Sequence, residues 1–224
     1  MEKQDVIISQ HLETSLEQAI AKCPHDRLFV LTDTTTIDKC WPLVKDYACV
    51  SGAKMITIAS TDENKTLESV CQVWSALQQG GATRHSLLIN LGGGMVTDLG
   101  GFAASTYKRG IKYINIPTTL LSMVDASVGG KTGFNFGGLK NEIGVFHNAS
   151  SVILDTRFLQ TLDYDNIASG YAEMLKHGLI SNTDNWAELL GFDIAEIDYE
   201  RLQQLVAKSV GIKEQVVLVD PTEK

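Results

Sequence analysis

The chain contains no apolar run approaching the roughly 18 residues that a membrane-spanning helix needs, no Cys-x-x-Cys, no cluster of Lys and Arg, and no His-x-x-x-His. Each absence removes a class of protein. Without a long apolar run, no membrane role is expected. The 19 Lys and Arg against 27 Asp and Glu give a net charge of −8, which argues against a nucleic-acid partner. Cys23, Cys40, Cys49 and Cys71 are scattered, so they read as reduced thiols and not as a zinc knuckle. The amino terminus, "MEKQDVIISQHLETSLEQA", is acidic early and polar throughout, unlike a secretory signal. These features together predict a cytoplasmic protein. What remains is an ordinary globular composition, 44% hydrophobic, long enough at 224 residues for one large domain or a domain plus part of another.

Short apolar runs alternate with amphipathic ones over the first two-thirds. "DVIIS", "RLFVLTD", "KMITIAS", "SLLINLG" and "KYINIPTT" predict strands. "LETSLEQAIAK" and "KTLESVCQVWSALQQG" predict helices, the second with Leu67, Val70, Trp74 and Leu77 on one face. Strands alternating with helices predict an α/β fold with a parallel sheet covered on both faces. From Tyr164 onward the pattern is helical only. A boundary is therefore expected at "FLQTLDYD", dividing residues 1–161 from residues 162–224. The helical part is about 60 residues long, few for a core of its own, and "VVLVDPTEK" ends on a proline turn. A truncated form of a longer chain is the expectation. No internal repeat or low-complexity tract is present.

Three stretches carry chemistry. In "LGGGMVTDLGGF", Gly92, Gly93 and Gly94 follow the fourth predicted strand, at the edge where open α/β sheets bind ligands. Backbone amides there could approach a pyrophosphate, with a helix expected to begin near Val96. The G-x-G-x-x-G pattern wants glycine at 97 and finds Thr97, while Asp98 adds a carboxylate, so a tight turn without a ligand is an equal alternative. The second stretch runs from Pro117-Thr118-Thr119 to "VFHNAS". It has Asp125 on a helix ending at Gly129-Gly130, then Lys131 and Lys140 flanking a Gly/Asn-rich loop, with Asn141 adjacent. Solvated loop lysines would be the plain explanation. Their company of Asn, Asp and strand-end threonines suits a phosphorylated, polyhydroxylated ligand. The third, "GYAEMLKHG", puts Glu173, Lys176 and His177 at i, i+3 and i+4 on one helix face. Glu and His at that spacing could share a metal. A surface Glu–Lys pair beside a bystander His is the alternative, and His11, His25 and His85 belong to no motif.

"LGGGMVTDLGGFAASTYKRGIKYINIPTTLLSMVDASVGGKTGFN", "LKNEIGVF" and "ASGYAEMLKHG" together resemble the 3-dehydroquinate synthase family. The likeness extends from about Phe29 to the last residue and is dense between Leu91 and Gly178. It implies a Rossmann-like NAD-binding domain followed by the start of an all-helical metal- and substrate-binding domain. It also implies a divalent metal, zinc or alternatively cobalt, and a homodimer. The implied reaction converts 3-deoxy-arabino-heptulosonate 7-phosphate to 3-dehydroquinate and phosphate, with NAD regenerated in each turnover. A carboxylate-bound zinc would polarise the hydroxyl being oxidised, and cationic side chains would hold the phosphorylated sugar acid.

Carried over by motif, Asp33 would meet the adenosine end of NAD. "STDENK" resembles the family's "GEENK", making Asp62, Glu63 and Lys65 candidate ribose contacts. Gly93, Gly94, Met95, Val96, Thr97 and Asp98 would hold the pyrophosphate. Thr118 and Thr119 would lie toward the nicotinamide, with Asp125, Lys131 and Lys140 at the cofactor–substrate junction. Phe158, Leu159, Gln160 and Thr161 match a cofactor-contacting segment. Arg109, Lys131, Asn141 and Lys176, with Asp125, resemble catalytic and substrate-binding positions, and Glu173 resembles a zinc ligand.

The departures from the family matter. Its "GHTFGHAIE" segment, with a zinc-binding His, and a further His ligand are absent, and "VFHNAS" replaces the usual aromatic-Gln-Pro. The chain as given is therefore expected to bind NAD weakly at best and not to turn over. A related cyclase making an inosose or valiolone ring is the alternative enzyme. A non-catalytic NAD-binding module is the alternative outside catalysis.

Overall fold

Continuous runs of Ile, Val and Leu become strands, the central ones of the sheet buried on both faces. A computed structural model describes residues 4–220. In chain order the strands are β1 (Asp5–Ile8), β2 (Leu28–Asp33), β3 (Lys54–Ile58), β4 (Leu87–Gly92), β5 (Lys112–Pro117), β6 (Lys131–Phe136), β7 (Leu139–Phe146) and β8 (Ser151–Leu154). The helices are α1 (Leu12–Ala21), α2 (Thr36–Lys39), α3 (Leu67–Gln79), α4 (Gly94–Thr106), α5 (Tyr164–Ser181), α6 (Thr183–Leu190) and α7 (Tyr199–Val219). Six strands form one parallel sheet in the order β1-β8-β5-β4-β2-β3. β4 is buried along its whole length, as a strand covered on both faces must be. The strand order reverses between β2 and β4, so the crevice at their carboxyl ends is the switch point of a doubly wound sheet.

The expected strands and helices are present, with corrections. The Gly/Asn-rich loop after Lys131 is an antiparallel ribbon, β6 with β7, in which Gly133 pairs with Gly144. Its glycines serve packing: a Cβ on Gly133 would lie 2.4 Å from the Ile143 carbonyl oxygen. "SVIL", too short to stand out, is β8 and joins β1 to the sheet. Asp125 sits in a π-helical turn, Ser122–Ala126, a form enriched at functional sites. α4 begins at Gly94, earlier than Val96. On α3 the buried face is Ser69, Val70, Val73 and Leu77, while Leu67 is exposed. Trp74 is partly buried against the core, its Nε1 donating to the Ala103 carbonyl.

The helices after Tyr164 share one continuous apolar core with the sheet, through Met174, Leu202, Leu205, Val206 and Val210. α5 lies close against the segment after β5, where a Cβ on Gly170 would come 2.4 Å from the Leu121 nitrogen. Among the described residues no helix is long and apolar enough to cross a membrane. The proline turn at Pro221 lies outside the described residues.

Candidate functional site

The switch point opens into a groove of about 610 Å³ lined by Asp33, Thr36, Ser60, Gly93, Asp98 and Thr118, among others. That volume suits a small-molecule ligand. β4 delivers the chain to Gly92, Gly93 caps α4, and the Thr97 amide returns to the Gly93 carbonyl at 3.0 Å. No left-handed backbone is needed in this turn. The glycines provide room instead, since a Cβ on Gly93 would approach Thr119 Cγ2 at 3.1 Å. The glycine missing at 97 has its packing counterpart one turn on. At Gly100 a Cβ would lie 2.1 Å from Asn90 Oδ1, and at Gly101 one would lie 2.6 Å from Thr132 Cγ2. These two residues let α4 press against both sheet and ribbon, the task of the third fingerprint glycine. The helix therefore aims its amino terminus into the groove, a natural anion site. Asp33, at the end of β2, is fixed by amides of Thr35 and Thr36 on its Oδ1, at 2.8 and 2.7 Å.

A second pocket, about 390 Å³, adjoins the first and shares Asp98, Asp125 and Ala126 with it. Lys131, Asn141 and Lys213 line its other sides. Asp98 accepts from Lys65 Nζ at 2.5 Å, and the same ammonium donates to Asn141 Oδ1 at 2.5 Å. Burial pushes the Asp98 carboxyl up to about 6, against the opposing pull of the Lys65 charge. Lys213 pairs with Asp125 Oδ1 and also donates to the Asp125 carbonyl at 2.6 Å. Sequence reasoning missed Lys213. It stands 88 residues from its partner, and only the packing of α7 on the π-helical turn brings them together.

Of the other expected residues, Met95, Thr119 and Thr161 line the groove. Thr118 does so while buried, Val96 and Thr97 face the interior, and Phe158 and Leu159 are core residues. Gln160 is exposed. Asp62 pairs with Lys140 at 2.8 Å, and with Glu63 both line a side pocket at the tip of the ribbon. Arg109 is not brought to this cluster. It precedes β5 and so sits at the opposite edge of the sheet, near Arg84 and Lys108.

Glu173 accepts from Lys176 Nζ at 2.8 Å and lies 3.3 Å from His177 Nε2. His177 is buried, its Nδ1 within 2.7 Å of Ser209 Oγ, and burial holds its pKa below the usual histidine value. One carboxylate and one imidazole do not complete a zinc shell. Among the described residues no group of three or more His, Cys, Asp or Glu could hold a metal.

A doubly wound parallel sheet with a glycine turn at its switch point, walled by helices on the carboxyl side, defines a protein of the Rossmann-like class. The fold resembles that of 2-epi-5-epi-valiolone synthase from Streptomyces hygroscopicus, solved with NAD+ and Zn2+ (TM-score 0.89, 29% identity), over 100% of this chain and 63% of that one. The 2-deoxy-scyllo-inosose synthase complexed with carbaglucose-6-phosphate, NAD+ and Co2+ has the same fold (TM-score 0.85, 24% identity), over 95% of this chain and 59% of that one. Residues 55–169 match the 3-dehydroquinate synthase N-terminal family and residues 170–224 its C-terminal counterpart. The chain belongs to the 3-dehydroquinate synthase family. It is 51% identical, over its full length, to the 3-dehydroquinate synthase of Parabacteroides distasonis, and spans 64% of that protein. To the Clostridium tetani enzyme it is 39% identical over 206 residues, which cover 88% of this chain and 53% of that protein.

Proposed function

We propose that the chain carries the cofactor groove and part of the substrate pocket of a 3-dehydroquinate synthase, which converts 3-deoxy-D-arabino-heptulosonate 7-phosphate to 3-dehydroquinate and phosphate. One observation supports this above the rest: the groove and the cationic pocket share Asp98 and Asp125 as a common wall. A dinucleotide in the groove could thus meet a sugar phosphate in the pocket. Bound NAD would supply reversible hydride acceptance. The chain's own residues then divide the work. The α4 amino terminus faces the pyrophosphate, Asp33 and Asp62 the adenosine end, and Thr118 and Thr119 the nicotinamide end. Lys131, Asn141 and Lys213 hold the substrate's anionic and hydroxyl groups, with Lys176 at the adjoining helix. Arg109 has no part in a site formed within one chain.

Glu173 is the metal ligand in this reading. The residues present do not fit a complete metal shell, and no step is derived through one. Residues 1–161 are read as the cofactor part and residues 162–224 as the metal and substrate part. The family likeness supports a homodimer and a cytoplasmic setting.

Calorimetric titration with NAD tests the groove. Saturable binding by the chain, weakened about tenfold or more by Thr118→Ala or Asp98→Ala, is expected. Absence of binding by the folded wild-type chain would overturn the reading.

A further inference from the structure

Lys65 is the buried cation at the seam between the two pockets. It is 3% exposed and follows the turn after β3. A buried ammonium is costly unless partnered, so its contacts are fixed by strong constraint. Two side chains accept from its ammonium, and only one of them reaches the cofactor groove. Asp98 rides on α4 and walls both, whereas Asn141 lies on β7 and lines only the cationic one.

The same lysine also anchors the ribbon through its backbone. Its carbonyl accepts the Asn135 amide at 2.8 Å. Asn135 Oδ1 in turn accepts the Asn141 amide at 2.9 Å, and Asn135 Nδ2 donates to the Asp62 carbonyl at 3.0 Å. Asn141 is held at φ +53°, in the left-handed region that asparagine tolerates better than most residues. Two bonds keep it there, one from its amide to Asn135 and one from Lys65 to its side chain. The pose of Asn141 thus depends on an ammonium whose other partner stands at the cofactor groove.

We propose that Lys65 is a positioning residue that couples the two pockets, setting the pose of Asn141 according to what Asp98 and the groove demand of its charge. The names of the pockets rest on the function proposed above. The coupling itself rests only on the three side chains. An anion near the α4 amino terminus draws on the same ammonium as Asp98. Loosening Lys65 from Asn141 frees the Asn141 side chain from the contact that fixes its direction. Binding in the groove is therefore felt in the ribbon, through one side chain.

A double-variant cycle read by amide hydrogen exchange tests this without any ligand. Wild type, Lys65→Met, Asp98→Asn and the double variant are compared at Asn135 and Asn141. Asp98→Asn is expected to change exchange there by about fivefold or more in the wild-type background and to have no effect in Lys65→Met. Equal changes in both backgrounds, or none in either, would overturn the coupling. Should Lys65→Met fail to fold, Lys65→Gln takes its place in the cycle.

A second measurement works from the other end. Asn141→Ala, on the exposed ribbon, should shift NAD affinity severalfold in wild type but not in the Lys65 variant. If the wild-type chain takes no NAD, the proposed function fails, while the exchange cycle still decides the coupling.

Discussion

Thr61 holds φ +80° and ψ 152°, a region that β-branched residues rarely enter. The family's "GEENK" segment has glycine where this chain has Thr61. The local return is one long bond from Asn64 Nδ2, at 3.3 Å. Thr61→Gly should therefore stabilise the fold. Strain relief on the order of 1–3 kcal/mol exceeds the glycine's entropic cost of roughly 0.5–1. The expected net gain of about 1 kcal/mol would raise the midpoint by roughly 2–4 °C in a thermal melt.

Asp98 makes a prediction of opposite kind. Its folded pKa, about 6, is raised above the ordinary aspartate value of 3.8, so folding favours its protonated form. Its favourable contribution is full below about pH 4 and is lost as pH rises through 6. Asp98→Asn should remove that decline. Melts from pH 4 to pH 7 should show the gap between variant and wild type moving in the variant's favour by on the order of 2–3 kcal/mol. A constant gap would mean that Asp98 does not titrate there. Residue by residue, the sequence exposed the glycine turn and the chemistry-bearing side chains of the ribbon, because composition and position alone mark them. It could not expose Lys213 or the partners of Lys65, since those depend on which helix or strand packs against which.

At the scale of elements, β2, β4 and β5 were legible because burial on both faces writes an uninterrupted apolar run. The ribbon was not. Glycine at 129, 130, 133, 137, 138 and 144 suggests a loop, yet Gly133 and Gly144 are cross-strand partners whose missing side chains allow close approach. β8 is only four residues long and gains its identity from neighbours on both sides. α4 depends on the same economy of space. Gly100→Ala would drive a Cβ into the buried Asn90 side chain, which donates to Asn115 at 2.9 Å, and against Leu31. Overpacking of this kind costs roughly 1–3 kcal/mol or more. The helix amino terminus should shift with it, so both the urea midpoint and NAD affinity are expected to fall in Gly100→Ala. A fall in stability with unchanged affinity would separate the helix from the groove.

For the whole molecule, a ligand that binds only the folded chain adds stability by mass action. NAD at about a hundred times its Kd should add roughly 2.7 kcal/mol. A concentration-dependent rise in the melting midpoint checks this, and Thr118→Ala should blunt it. The sheet has a consequence for how the molecule is made. β1, the first strand, pairs with β8, the last to join, across 146 residues between Asp5 and Ser151. β8 in turn is the strand that closes the flank of β5. Until residue 154 has left the ribosome, the first strand has no partner, and the apolar edge of "YINIP" stays open to any neighbouring chain. Closing so distant a pairing is slow. During synthesis, the span between completion of β5 and arrival of β8 is the interval in which this edge stands open to aggregation.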